Sequence, residues 1–153
     1  MKYIFVLDEN IFLSACKGKN AHDQVDYSSS NLILQIARNC HKIAWNDELK
    51  KRYSKKADDL KNNLKYEQFM QASKIFFGLM LKLDKNIQNE NYIDVDPILC
   101  DDKHVISLAV FTKGILVTED DDLKIELQEK NLISKHNLIV VQPKEALKYA
   151  DDK

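Results

Sequence analysis

The sequence predicts an α/β domain in which a mainly parallel sheet is covered on both faces, a three-layer α/β/α sandwich. Three observations point there. Short apolar runs rich in strand formers recur at residues 3–7, 42–45, 115–118 and 138–141. Segments with helical spacing separate them, and strands alternating with helices imply parallel pairing. The runs are continuously apolar rather than alternating, as expected of strands buried on both sides.

Each element has a local reason. Tyr3-Ile4-Phe5-Val6-Leu7 is a buried central strand that ends at Asp8. A helix over residues 10–16 should follow, stopping near Gly18. Residues 19–27 are polar and read as a loop. The hydroxyls of Ser28, Ser29 and Ser30 are expected to cap a helix over residues 31–38. Lys42-Ile43-Ala44-Trp45 reads as the second strand, with Trp45 as core. Asn46 or Asp47 can cap the next helix, which runs to about Leu64. Tyr66, Phe69, Met70, Phe76, Phe77, Met80 and Leu81 then mark a helix with one broad apolar face, read as core with a share available for a homodimer interface. Residues 86–91 break it. A helix over residues 102–112 ends with Gly114 as its expected C-cap. The strand 115–118, a helix over 123–130, the strand 138–141 and a short helix from Pro143 complete the chain.

The 153 residues fit one domain, 1–153, with a full hydrophobic core. Lys and Arg number 23 against 24 Asp and Glu, so the chain lacks the overall positive field of a passive nucleic-acid binder. Cys16, Cys40 and Cys100 are odd in number and widely spaced. That argues against a disulfide framework or zinc ribbon and reads as buried small hydrophobes in a reducing cytoplasm. The first apolar run stops at Asp8, too soon for a secretory leader. No apolar run is long enough to span a bilayer. His22, His41, His104 and His136 show no metal-ligand spacing and read as surface or core residues. His104 lies two residues from Asp102, a spacing that turns the two side chains apart on a helix.

Chemistry concentrates in three acidic clusters: Asp8-Glu9-Asn10, Asp101-Asp102 and Glu119-Asp120-Asp121-Asp122. Two follow strands and one opens a helix. Any one alone reads as a cap or turn. Together they can meet at the carboxyl edge of the sheet, where open α/β sheets bind ligands. Gathered carboxylates repel and raise one another's pKa values. A hard cation such as Mg²⁺ or Mn²⁺ relieves the repulsion, and can acidify a bound water and polarise a phosphoryl oxygen. The chemistry so indicated is metal-assisted phosphodiester hydrolysis. Lys50, Lys51, Arg52, Lys55 and Lys56 form a basic run that is either a contact for RNA phosphates or a solvated helix face.

These residues resemble the PIN domain family. The carriers are Asp8-Glu9-Asn10, Asp102 leading into an apolar run that reaches Ala109, and Thr118-Glu119-Asp120-Asp121-Asp122 followed by Leu123. The resemblance runs from Met1 to about Val141. It implies a catalytic acidic set of Asp8, Asp102, Asp120 and Asp122, with Asp8, Asp102 and Asp120 as metal ligands. Asn10 and Thr118 would orient the carboxylates by hydrogen bonds. The family's second acid, just before a Tyr, is replaced here by Arg52 before Tyr53. Glu48, about one helical turn earlier, would substitute as a ligand, or the site has lost one. Arg52 and Lys51 would contact substrate. The resemblance implies a cytoplasmic endoribonuclease acting on single-stranded RNA, either the toxin of a toxin–antitoxin pair or a housekeeping nuclease. A PIN-like RNA- or protein-binding module with a degenerate site is the alternative. A receiver-like phosphotransfer fold also groups acids at strand ends, but the Thr-x-Asp-x-Asp run and the missing late-strand Lys argue against it.

Overall fold

The computed structural model describes residues 1–61 and 101–152, with Lys74 and Gly78 between them. Among the described residues the order is β1 (Ile4–Leu7), α1 (Glu9–Lys17), α2 (Ser28–Arg38), β2 (Lys42–Ile43), α3 (Asp47–Lys61), α4 (Lys103–Thr112), β3 (Ile115–Val117), α5 (Asp121–Glu129), α6 (Leu132–His136), β4 (Ile139–Val141) and α7 (Pro143–Ala150). The four strands form one parallel sheet in the order β2-β1-β3-β4. The aromatic and methionine stripe from Tyr66 to Leu81, its homodimer reading and the breaker at 86–91 lie outside the described residues, as does Cys100.

Strand order fixes where the helices go. The chain leaves β1 in one direction to reach β2, then returns across β1 to reach β3. Right-handed crossovers therefore put the two connections on opposite faces. On one face α2 packs against α1 and α7, and α7 reaches β3. On the other, α4 packs on β1 and β3. This is the α/β/α sandwich. Phe5, Val6, Leu7, Leu116 and Val117 are fully buried at its centre, each contributing about 1.5–3 kcal/mol of hydrophobic stabilisation.

Several boundaries differ from the sequence expectation for identifiable reasons. α2 begins at Ser28 itself, because Asp26 Oδ1 accepts from the Ser28 amide. The serines are spent elsewhere: Ser30 donates to the Ala15 carbonyl and Ser29 to Glu119. Asn46, rather than Asp47, caps α3. Its Oδ1 accepts from the Leu49 amide at 2.9 Å and its amide nitrogen donates to the His104 carbonyl at 3.1 Å. Trp45 lies past the end of β2, partly buried against the core with the Lys50 ammonium 5.1 Å from its ring.

Gly18 ends α1 in the left-handed region (φ 65°) as expected. Gly114 does not have the capping role. Lys113 adopts the left-handed conformation (φ 52°), and Gly114 serves a close approach instead. A Cβ on Gly114 would lie 3.1 Å from the Ile4 carbonyl oxygen and 3.3 Å from Val6 Cγ2. Cys16 is buried but Cys40 is exposed, in a turn with φ 56°, so the reading of all three cysteines as buried fails at Cys40.

Candidate functional site

The topology creates one switch point. β1 connects away to β2 on one side, and β3 connects away to β4 on the other. The crevice between the carboxyl ends of these adjacent strands is where a parallel sheet offers a ligand site. Leu7 pairs with Val117 in register, so Asp8 and Thr118 emerge side by side. The Asp8 amide donates to the Val117 carbonyl at 3.0 Å, and the Thr118 amide to that of Val141 at 3.0 Å. Both residues are held by sheet hydrogen bonds rather than by a loop.

Asp8 is buried, with 4% of its surface exposed. Its Oδ2 accepts from the Thr118 hydroxyl at 2.9 Å. The same hydroxyl oxygen accepts from the Asp120 amide at 3.1 Å. Burial pushes the Asp8 carboxyl up to about 6, against the Thr118 bond that favours the charged form; the charges of Glu9 and Asp102 add to the rise. Asp102 sits at the cap position of α4 with no capping hydrogen bond from its side chain. Its pKa is raised by burial and next by the charge of Asp120, with His104 opposing. Asp120 caps α5, its Oδ1 accepting from the Leu123 amide at 3.1 Å.

Asp8, Asp102 and Asp120 therefore form a chain of mutually repelling carboxylates around the switch point. Asp122 and Asp101 are exposed. Asn10 is exposed on the first turn of α1, and its side chain has no hydrogen-bond partner among the described residues. Thr118, by contrast, donates to Asp8 and accepts from the Asp120 amide.

Arg52 and Glu48 are occupied with each other. Arg52 Nε donates to Glu48 Oε1 at 3.1 Å, and its Nη1 lies 3.5 Å from Glu9 Oε1. Lys51 is exposed beside them. Glu9 is the residue that sequence reasoning passed over. It lies between the two motif positions, and its other oxygen faces His104 Nε2 at 3.8 Å. Both atoms are buried and neither has a hydrogen-bond partner. The imidazole facing it, and then Arg52, hold the Glu9 carboxyl below its ordinary range against the effect of burial. His104, which also acts on the Asp102 carboxyl, meets Glu9 across the gap between α4 and α1, a contact that no local spacing reveals. His41 is a core residue: its Nδ1 accepts from the Tyr3 amide, and its Nε2 lies 3.1 Å from the Ala150 carbonyl.

Two further contacts tie the site to its surroundings. The buried Tyr53 hydroxyl donates to the Leu7 carbonyl, one residue before Asp8. Glu119 accepts from the Ala21 amide at 2.5 Å and pins the polar loop after α1 to the end of β3.

The donors at the switch point are all carboxylate or hydroxyl oxygens, and their repulsion is unrelieved by any ion pair to Asp8 among the described residues. That donor set suits a hard divalent cation, which needs only one or two carboxylates and keeps its remaining waters. It is not a closed cage: among the described residues no three His, Cys, Asp or Glu side chains are grouped closely enough to enclose a metal ion. No helix among the described residues is long and apolar enough to cross a membrane. No protein-family model, curated protein or solved structure matches the chain.

Proposed function

We propose that the chain is a PIN-like endoribonuclease that cleaves single-stranded RNA with Mg²⁺ or Mn²⁺, in the cytoplasm, either as the toxin of a toxin–antitoxin pair or as a housekeeping nuclease. The observation that carries this reading is Asp8. A carboxylate buried at the switch point of a parallel sheet, pushed up to about 6 and flanked by further acids, costs stability unless a cation binds it. Residues that oppose folding in this way concentrate at functional sites.

In this reading Asp8 and Asp102 hold the cation, and Asp120 completes the site through a bound water. Thr118 aims Asp8, while Asp122 stands on the exposed first turn beside them. When bound, the cation supplies an acidified water and polarises the phosphoryl oxygen. Lys51 and Arg52 contact substrate phosphate from α3, one turn from Glu48.

A second reading is favoured by one observation. Arg52 occupies the place of the family's second acid and is paired with Glu9 and Glu48, which supplies charge balance without a metal. The chain would then be a PIN-like module that binds RNA or a protein partner. Calorimetric Mn²⁺ titration together with a cleavage assay on single-stranded RNA separates the two. Metal-dependent cleavage that Asp8→Asn abolishes supports the nuclease. No metal binding and no cleavage at millimolar metal leave the binding module.

A further inference from the structure

A groove runs along the seam between α1 and α3, away from the switch point. Its first part, about 410 Å³, is walled by Glu9 of α1 and by Glu48, Lys51, Arg52 and Lys55 of α3. Its second part, about 440 Å³, is walled by Leu13 and Lys17 of α1, Lys19 of the following loop, and Leu60 of α3. Lys56 and Asp59 line both parts, so the two are continuous. Each is of the size that accepts a small organic ligand.

The charges along it are unevenly matched. Arg52 is paired with Glu9 and Glu48, and Lys19 with Asp23 at 3.5 Å. Lys17, Lys51, Lys55 and Lys56 are in no ion pair among the described residues. These four ammonium groups line one groove of a chain whose net charge is −1. Basic groups that outnumber the acids lining the same groove set up a local positive field that attracts a polyanion. Glu9, which lines the first part, follows Asp8 in the chain, so a strand lying in the groove would have one end near the carboxylate crevice.

We propose that this groove is a track for the phosphate backbone of a single-stranded nucleic acid, with Lys17 and Lys56 as contacts remote from the acidic crevice. The proposal rests on the nuclease reading for its direction, but the binding it describes needs neither metal nor catalysis. A single strand suits the seam better than a duplex, because a groove of this volume between two packed helices has room for one strand.

The test is anisotropy of a fluorescein-labelled oligouridylate titrated with the full chain in EDTA over a series of salt concentrations. Each phosphate contact contributes roughly −0.7 to the slope of log K against log salt for a single strand. Lys17→Gln and Lys56→Gln, made singly, should each reduce the slope by about 0.7. Lys148→Gln on α7, which removes the same charge elsewhere, should leave it unchanged. Absence of binding by the wild-type chain overturns the track, as does an equal effect of Lys148→Gln. Equal competition by polyglutamate would assign the groove to an acidic peptide and overturn it too. Salt-dependent binding without cleavage at added Mn²⁺ keeps the track and removes the nuclease. Cleavage with slopes unaltered by Lys17→Gln and Lys56→Gln does the reverse.

Discussion

Replacing Asp8 by Asn should make the metal-free protein more stable. The carboxyl is pushed from 3.8 to about 6, chiefly by burial. A carboxyl whose pKa is raised on folding binds more protons in the native than in the unfolded state between those two values. Stability therefore falls as pH climbs through the window from about 4 to about 6, and the whole loss is present at pH 7. At about 1.4 kcal/mol per unit the shift corresponds to roughly 3 kcal/mol. Asn keeps the shape and can still accept from the Thr118 hydroxyl, yet carries no charge. In EDTA at pH 7 the variant should gain up to that amount, about 6–12 °C in Tm for a domain of this size. Near pH 3, where Asp8 is neutral in both states, the difference should vanish. Saturating Mn²⁺ should reverse the order, because ligand binding stabilises only the chain that binds it. Calorimetric melts of both proteins at three pH values, with and without Mn²⁺, measure all of this. An Asp8→Asn variant less stable than the wild type at pH 7 in EDTA would refute the reasoning, since Asp8 would then be a net contributor to the fold.

Three other outcomes follow from the same contacts. Thr118→Val removes both the donor to Asp8 and the acceptor of the Asp120 amide; Mn²⁺ affinity by calorimetry should drop roughly 10–100-fold, as for loss of other groups that orient a ligand. Arg52→Ala frees the Glu9 and Glu48 carboxylates, so Mn²⁺ affinity should rise while oligouridylate binding in EDTA weakens; a fall in metal affinity would contradict this. Gly114→Ala puts a methyl against the Ile4 carbonyl and Val6 and should cost about 1–3 kcal/mol in urea denaturation, despite alanine's better local propensities.

The parts of this fold that could be read from sequence are those whose causes are local. The run from Tyr3 to Leu7 becomes the central strand because nothing but burial on both faces suits five apolar residues in a row. Asp8 and Thr118 could be placed at the same edge because both follow such runs in a parallel sheet. Pairwise contact between distant elements was the obstacle elsewhere. Gly114 was expected to answer a backbone conformation, whereas its role depends on close approaches by Thr112 and by Ile4 on the neighbouring strand. The serines that open α2 were expected to cap it, but Ala15 and Glu119 claim two of their hydroxyls. Glu9 carried no signal of its own. Its part in the site comes from His104 and Arg52, on two other helices, and only the fold brings them together.

The Thr118 hydroxyl gives the crevice a direction. It has one hydrogen, and that hydrogen goes to Asp8 Oδ2 while the oxygen receives the Asp120 amide. A proton arriving on Oδ2 would weaken the bond which that oxygen accepts from the Thr118 hydroxyl, so Oδ1 is the favoured oxygen for a proton. The two oxygens of one carboxylate thus have separate duties, one fastened to the turn that starts α5 and one left to exchange a proton or a cation. Any ligand that pulls on Asp8 also pulls, through three linked groups, on the first turn of that helix, and occupancy of the crevice becomes legible at the amide of Asp120.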